Sequence, residues 1–223
     1  GVEGADRPSF GEYDRTRFVH GSQTLDLHGP LPSAGEVELD CEITGLADKG
    51  SGALITWTTT AVLEGSLLFT SAASGFLVGA GGFGADSPEP LAGTRPSAVR
   101  HLPEGPPHRV LPMATRAEQA LLYRLSGDRN PLHSDPETAV RGGFTRPILH
   151  GLCVLGSAAR VVLGDSVDSL THLEARFTAP VLPGDELSVQ SWEPDARIHL
   201  FRASGPGGAR VLDRGVVSVA ARE

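Results

Sequence analysis

The chain predicts an α+β fold dominated by antiparallel sheet, and three features of its 223 residues carry that expectation. From Gln23 to Val78 four strand-like runs follow one another, separated by turn residues. One segment of helical length, Ile148 to Leu163, is apolar on nearly every face. Four further strand-like runs close the chain. A helix without a polar face has to be buried, and an antiparallel sheet wrapped around it is the packing that buries it.

The first-half strands are Gln23 to Leu27, Glu36 to Thr44, Ala53 to Val62 and Leu67 to Val78. Pro30-Leu31-Pro32 and Lys49-Gly50-Ser51-Gly52 supply turns, so the pattern is a meander. Residues 1–84 form the expected first domain. Ala85 to Pro107, rich in proline and glycine and without periodicity, reads as a linker over 85–107. The second domain, 108–223, opens with a helix signposted by a capping box, Thr115 and Glu118, and expected to stop near Gly127. After the buried helix come Leu170 to Thr178, Glu186 to Trp192, Arg197 to Ala203 and Val211 to Ala220. Small residues Gly151, Gly156, Ser157, Ala158 and Ala159 let that helix approach the sheet closely. The first half offers no counterpart of it, so the helix is either absent there or its residues are missing. If absent, the concave face of the first sheet is open to a long apolar ligand.

Hydrophobic residues at 39% and charged residues at 21% fit a soluble globular protein, and no apolar run approaches a membrane span. With 19 basic against 27 acidic residues the net charge is −8, and no basic cluster offsets it, which argues against nucleic acid as a partner. Cys41 and Cys153 lie far apart in apolar surroundings and read as buried thiols of a reduced, intracellular protein. No signal-peptide pattern follows Gly1, and the C-terminal Ala-Arg-Glu is not a peroxisomal tripeptide. The bacterial cytoplasm is the expected location, ahead of a peroxisome.

The densest polar cluster is Tyr123-Arg124-Leu125-Ser126-Gly127-Asp128-Arg129-Asn130-Pro131-Leu132-His133. Asp128 and His133 flank a turn in which Pro131 stops the helix, and such a turn can aim both side chains at one cavity. A carboxylate and an imidazole sharing a water can deprotonate it and reprotonate a neighbouring carbon, as hydration of a double bond requires. An arbitrary Asp-x-Asn-Pro turn is more often a plain chain reversal with a surface histidine. The surrounding sequence reverses that balance. Gly79 to Gly84 matches G-x-G-x-x-G but is followed by Pro88 and Pro90 rather than a helix, so the dinucleotide reading fails. His101, His108, His172 and His199 lack metal-ligand spacing, so no metal is expected. No Gly-x-Ser-x-Gly elbow is present. His150, just ahead of the buried helix, can help shape the site, with a supporting or packing role favoured over proton transfer.

Ser126 to His133, with Pro147-Ile148-Leu149-His150-Gly151-Leu152-Cys153, resembles the hydratase 2 motif of MaoC-like (R)-specific enoyl-CoA hydratases. His20-Gly21-Ser22-Gln23, Pro30-Leu31-Pro32, Asp48 to Gly52 and Gly79 to Gly84 resemble the first repeat of the two-repeat members. Ala175 to Val181 and Pro183-Gly184-Asp185 resemble the second. Coverage runs from about Phe18 to the end. The resemblance implies a double hot-dog fold of two antiparallel sheets, with catalysis in the second repeat and substrate binding shared with the first. It implies Asp128 and His133 as the catalytic pair, Asn130 as the residue orienting them, and Gly151 as a backbone N–H donor to the thioester oxygen. The start of a buried helix suits developing negative charge on independent grounds.

The resemblance assigns substrate and CoA contacts to His20, Gly21, Lys49, Gly127, Arg129, Pro131, Leu132 and Phe177. Lys49, the only lysine, suits an anionic phosphate. Ser22 stands where many relatives carry an acidic residue. The implied reaction is reversible syn hydration of a trans-2-enoyl-CoA to a (3R)-3-hydroxyacyl-CoA. No cofactor is implied beyond the coenzyme A of the substrate, and a homodimer is the implied assembly. Two alternatives stay open: a dehydratase of carrier-bound, polyketide or steroid-derived acyl groups, and a non-catalytic acyl-CoA-binding subunit.

Overall fold

A computed structural model describes residues 17–84 and 102–221; most of the expected linker, with His101, lies outside the described residues. In the first stretch the chain forms β1 (Phe18–Leu27), β2 (Glu38–Asp48), β3 (Gly52–Leu63) and β4 (Ser66–Val78). In the second it forms β5 (Arg109–Ala114), α1 (Gln119–Tyr123), α2 (Pro136–Arg141), α3 (Gly151–Leu163), β6 (Leu170–Phe177), β7 (Glu186–Asp195), β8 (Ile198–Ser204) and β9 (Arg210–Val219). β-Branched and aromatic residues fill β3 (Ile55, Thr56, Trp57, Thr58, Thr59, Thr60, Val62), as a pleated surface favours.

All nine strands join in one antiparallel sheet of order β2-β3-β4-β1-β6-β9-β8-β7-β5. The two sheets expected from the sequence therefore meet edge to edge, through β1 against β6, with Leu25 opposite Leu173 and Asp26 opposite His172. The order β2-β3-β4-β1 repeats β7-β8-β9-β6. Among the described residues, β5 and the long helix have no counterpart in the first half. This is the double hot-dog arrangement with a single long helix.

The main core lies between α3 and the second half of the sheet: Val154, Leu155, Ala158 and Val162 pack with Leu173, Val189, Phe201, Leu212 and Val217. Truncating Leu155, Leu173 or Leu212 to alanine costs about 2–5 kcal/mol. A Cβ on Gly215 would meet the Phe201 ring at 2.6 Å, so the glycine is what seats that ring. The first half has a smaller core, Ala53, Ile55 and Leu77 with Phe18, Ile43 and Trp57 against them.

Several expectations are corrected. The long helix begins at Gly151, not Ile148, and it is not buried all round: Leu152, Gly156 and Arg160 form an exposed stripe four residues apart. The Thr115–Glu118 capping box does not form. Thr115 Oγ1 instead donates to the Asp185 carbonyl (2.8 Å) and accepts from Gly184 N–H (2.9 Å), and α1 starts only at Gln119. The chain does leave this helical stretch at Gly127, whose φ of 113° suits glycine. β5 was missed because Pro112 interrupts its pattern; at the sheet edge a missing N–H is tolerated. Cys153 is buried, but Cys41 is exposed on the edge strand β2, and both are free thiols.

Charged side chains cross the seam between the halves. His172 Nδ1 lies 2.7 Å from Asp26 Oδ1 on β1, while Glu174 Oε2 is 3.6 Å from Nε2, too far for a hydrogen bond but close enough to act as a charge. The Glu174 and Asp26 carboxylates together raise the His172 pKa above its ordinary 6.5, against the opposing effect of burial. A raised folded-state pKa gives stability that is complete below the unfolded value and lost as pH rises through the folded one. Urea denaturation of the wild type should therefore show a loss of stability above about pH 6.5 that His172→Gln lacks. Parallel pH dependences in the two proteins would refute the seam ion pair.

Candidate active site

A cavity of about 370 Å³ lies between the start of α3 and the inner face of the sheet where the halves meet. Second-half residues Asp128, Asn130, Leu132, His133, His150, Gly151 and Phe177 line it together with Phe18, Val19, His20 and Trp57 of the first half.

The loop after α1 is built by short-range bonds. Asp128 Oδ1 accepts Asn130 N–H (3.1 Å), and Asn130 Oδ1 accepts Leu132 N–H (3.0 Å), capping a single 3₁₀ turn over Pro131–His133. Buried Leu132 anchors that turn, and His133 leaves it toward the cavity. His133 Nδ1 lies 2.9 Å from the Ile148 carbonyl. A carbonyl only accepts, so Nδ1 carries the proton and the Nε2 lone pair is left unused. Burial lowers the His133 pKa, partly offset by the Ile148 bond and the charge of Asp128, so the ring is neutral at neutral pH.

His150 is 1% exposed and stacks on His133, ring centroids 3.7 Å apart, with Tyr123 4.7 Å away. Its Nε2 donates to the main-chain carbonyl of Asp128 (3.2 Å). Burial and the neighbouring His133 lower its pKa to about 4. Gly151 follows as the first residue of α3, where N–H groups have no intrahelical acceptor. A Cβ there would meet the Phe177 ring at 3.0 Å, so glycine also lets the helix start close to β6.

From the first half, His20 reaches the cavity because of a bulge. Counting back by twos from Leu25 and Gln23 would put His20 on the outer face, but the register of β1 against β4 shifts between His20 and Ser22. Gly21 occupies that shift, where a Cβ would meet Ser74 Oγ at 2.8 Å. Ser22 is left on the outer face, bonded to Ser74 Oγ at 2.7 Å. His20 stacks near Phe177 (4.7 Å) and Trp57 (6.2 Å); burial lowers its pKa, and the Ser22 carbonyl and Asp128 charge raise it.

Of the residues named from sequence, Asp128, Asn130, Leu132, His133, Gly151, His20 and Phe177 line the cavity; Gly21, Lys49, Gly127, Arg129 and Pro131 do not. Gly127 and Pro131 shape the loop, and Gly21 the bulge. Exposed Lys49 sits on the β2–β3 turn, at the same end of the sheet as Phe18. The glycine motif at 79–84 folds onto that turn: Asp48 accepts N–H bonds from Gly50 (2.7 Å), Gly82 (3.0 Å) and Gly84 (2.8 Å), so an internal carboxylate occupies the amides. His150, read from the sequence as able to shape the site, also lines the cavity, as do Phe18 and Trp57, which the sequence does not single out. A histidine embedded in Ile148-Leu149-His150-Gly151 was the available signal.

Asp128, His133 and His150 are also the one group of possible metal ligands among the described residues, with donor atoms within 4.8 Å of one another. The two imidazoles stack with an interplanar angle of 28°, so their in-plane lone pairs run side by side rather than converging on one ion. The arrangement fits proton transfer better than chelation.

Comparison with known proteins identifies the family and the fold. Residues 5–79 match the MFE-2 hydratase 2 N-terminal domain, and residues 99–205 match the MaoC like domain. The chain is 40% identical to 3-hydroxyacyl-thioester dehydratase Y of Mycobacterium tuberculosis, over 95% of this chain and 76% of that protein. It is 41% identical to the peroxisomal enoyl-CoA hydratase 2 of Arabidopsis thaliana, over 88% of this chain and 66% of that protein. The structure of full-length peroxisomal multifunctional enzyme type 2 from Drosophila melanogaster superposes with a TM-score of 0.80 at 35% identity, covering 91% of this chain and 37% of that one.

The histidines of the cavity should separate in a pH titration followed by NMR of ring carbons. His150 is expected to titrate at about 4, and His133 and His20 below 6.5. A His150 midpoint at or above 6.5 would mean that water reaches its ring.

Proposed function

We propose, from the premise that this chain belongs to the MaoC-like hydratase 2 family of hydro-lyases, that it adds water reversibly to a trans-2-enoyl-CoA and forms the (3R)-3-hydroxyacyl-CoA. The observation that carries the mechanism is the anchoring of His133. With Nδ1–H held by the Ile148 carbonyl, its basic Nε2 is available on a cavity wall shared with the Asp128 carboxylate.

A water between the two groups gives its proton to His133 Nε2 as its oxygen bonds to C3 of the enoyl group. The C2=C3 electron pair moves toward the thioester, whose oxygen gains negative charge. The N–H of Gly151, at the positive end of α3, stabilises that charge. The proton then passes from His133 to C2 on the same face, which makes the addition syn. Asp128 orients the water and offsets the charge of the transient imidazolium. Asn130 keeps both groups on one turn through its bond to Leu132 N–H. Microscopic reversibility makes the same groups a dehydratase.

The aromatic surface of Phe177, His20, Trp57 and Phe18 gives the acyl thioester an apolar wall running into the first half. Lys49, at that end of the sheet, is assigned to a phosphate of coenzyme A; Gly21 and the loop residues Gly127, Arg129 and Pro131 act by shaping the backbone around the substrate.

Hydration of crotonyl-CoA, followed by loss of the enoyl-thioester absorbance, tests this reading. Asp128→Asn and His133→Ala should each lower kcat by about 10²- to 10⁴-fold. Activity surviving both changes would sink the mechanism, and wild-type turnover of carrier-protein thioesters alone would replace coenzyme A with a carrier as the substrate's handle.

A further inference from the structure

The hydratase reading leaves one buried polar side chain at the site without a task. His150 is almost wholly buried, and its Nε2–H is taken by the Asp128 carbonyl. Its Nδ1 has no hydrogen-bond partner. A buried nitrogen left unpaired is a cost that leucine or phenylalanine would avoid, so packing alone is a poor account of a histidine here.

What distinguishes the position is that it touches every part of the proposed machinery. The Nε2–H bond ties the main chain of Asp128, in a loop whose residues 128–131 are all exposed, to a buried ring. The ring face supports His133, 3.7 Å away, whose other restraint is the single bond to Ile148. The main chain of His150 is the N-cap of α3, its carbonyl accepting Val154 N–H (3.2 Å). The peptide joining it to Gly151 carries the N–H aimed at the thioester oxygen. Rotating this one ring would disturb the carboxylate, the base and the oxyanion donor together.

Resting on the hydratase reading, we infer that His150 is a positioning residue: its Nε2–H bond to Asp128 and its stack on His133 hold the acid/base pair in register with the Gly151 N–H. It carries no proton in the reaction. Its low basicity fits this role, since the ring stays neutral while His133 is transiently charged beside it.

Three variants test the inference. His150→Leu keeps bulk but removes the donor and the aromatic face. His150→Gln puts an amide N–H within reach of the Asp128 carbonyl, and His150→Asn is too short to do so. With crotonyl-CoA, His150→Leu should lower kcat by about 30- to 100-fold while KM stays within about threefold, because misplacement by a fraction of an ångström acts on the chemical step. His150→Gln should recover about tenfold of that loss and His150→Asn should not.

Amide hydrogen exchange gives a readout independent of turnover. The N–H groups of Asn130, Leu132 and His133 should exchange faster in the Leu and Asn variants and return toward wild type in Gln. A Leu variant with kcat within about threefold of wild type, or a folded Gln variant no better than Asn, overturns the inference. Should the Leu variant fail to fold, the Gln and Asn pair decides. If wild type does not hydrate crotonyl-CoA, the hydratase reading fails by itself, and unchanged loop exchange across the variants would separately overturn the positioning role.

Discussion

The site depends on three consecutive residues being kept out of the helix that follows them. Ile148, Leu149 and His150 have the composition of α3 and would extend it, yet each is claimed from outside. The Ile148 carbonyl accepts a hydrogen bond from His133 Nδ1–H, Leu149 N–H donates to the Val181 carbonyl (2.7 Å), and the His150 ring donates to the Asp128 carbonyl. With those groups engaged, the first helical turn begins at Gly151. Its unpaired N–H groups then open into the cavity rather than lying one turn earlier against the sheet. The position of the helix start, the tautomer of His133 and the seating of the Asp128 loop are thus one problem with one solution. A helix beginning at Ile148 would lose all three.

The first half reaches the same point by a different device. Strand alternation alone would turn His20 away from the cavity, and a one-residue slip moves a side chain to the other face. The bulge at Gly21 confines that slip to the residues before it. Phe18 and His20 turn inward, while Gln23 and Leu25 keep their register with Ala175 and Leu173 across the seam. Gly21 lines no part of the cavity, yet it determines that His20 does. Its importance is conformational, as is that of Gly127, whose left-handed backbone releases the chain from the helical turn into the Asp128 loop.

This explains which parts were legible in the sequence. The eight long strands were, because each is a run of apolar and β-branched residues between turn residues; the exception is the first half of β1, Phe18 to Ser22, where Gly21 and the bulge break the alternation and the strand reads as starting only at Gln23. The Asp128–His133 turn was legible because its bonds are local: Asn130 to Leu132 and Asp128 to Asn130 lie within two residues. Features set by distant partners were not. Thr115 has the sequence of a helix cap but bonds the Gly184–Asp185 turn, seventy residues on in the chain for Asp185. The α3 start is fixed from Val181 and His133, and the inward face of His20 from Ser74. Pro112 hid β5 because whether a strand lies at an edge is a property of the sheet, not of the strand.

Among the described residues the first half has no long helix, and this links stability to substrate space. In the second half twenty buried residues gather around α3, whereas the cluster of Ala53, Ile55 and Leu77 has three. The first four strands therefore rely on pairing across the seam, where β1 lies against β6 and Leu25 packs on the main core. A helix laid over β1, β3 and β4 would enlarge that core, but it would cover Phe18, His20 and Trp57, the residues through which the first half lines the cavity. Those aromatic rings take up part of the uncovered face: Phe18 and Trp57 are 6.1 Å apart and both rest against the small core. They remain half-buried, which is the state an apolar ligand can improve by burying them further. Among the described residues, the apolar area that no first-half helix covers is thus the area an apolar ligand would bury, and the modest first core is its structural counterpart.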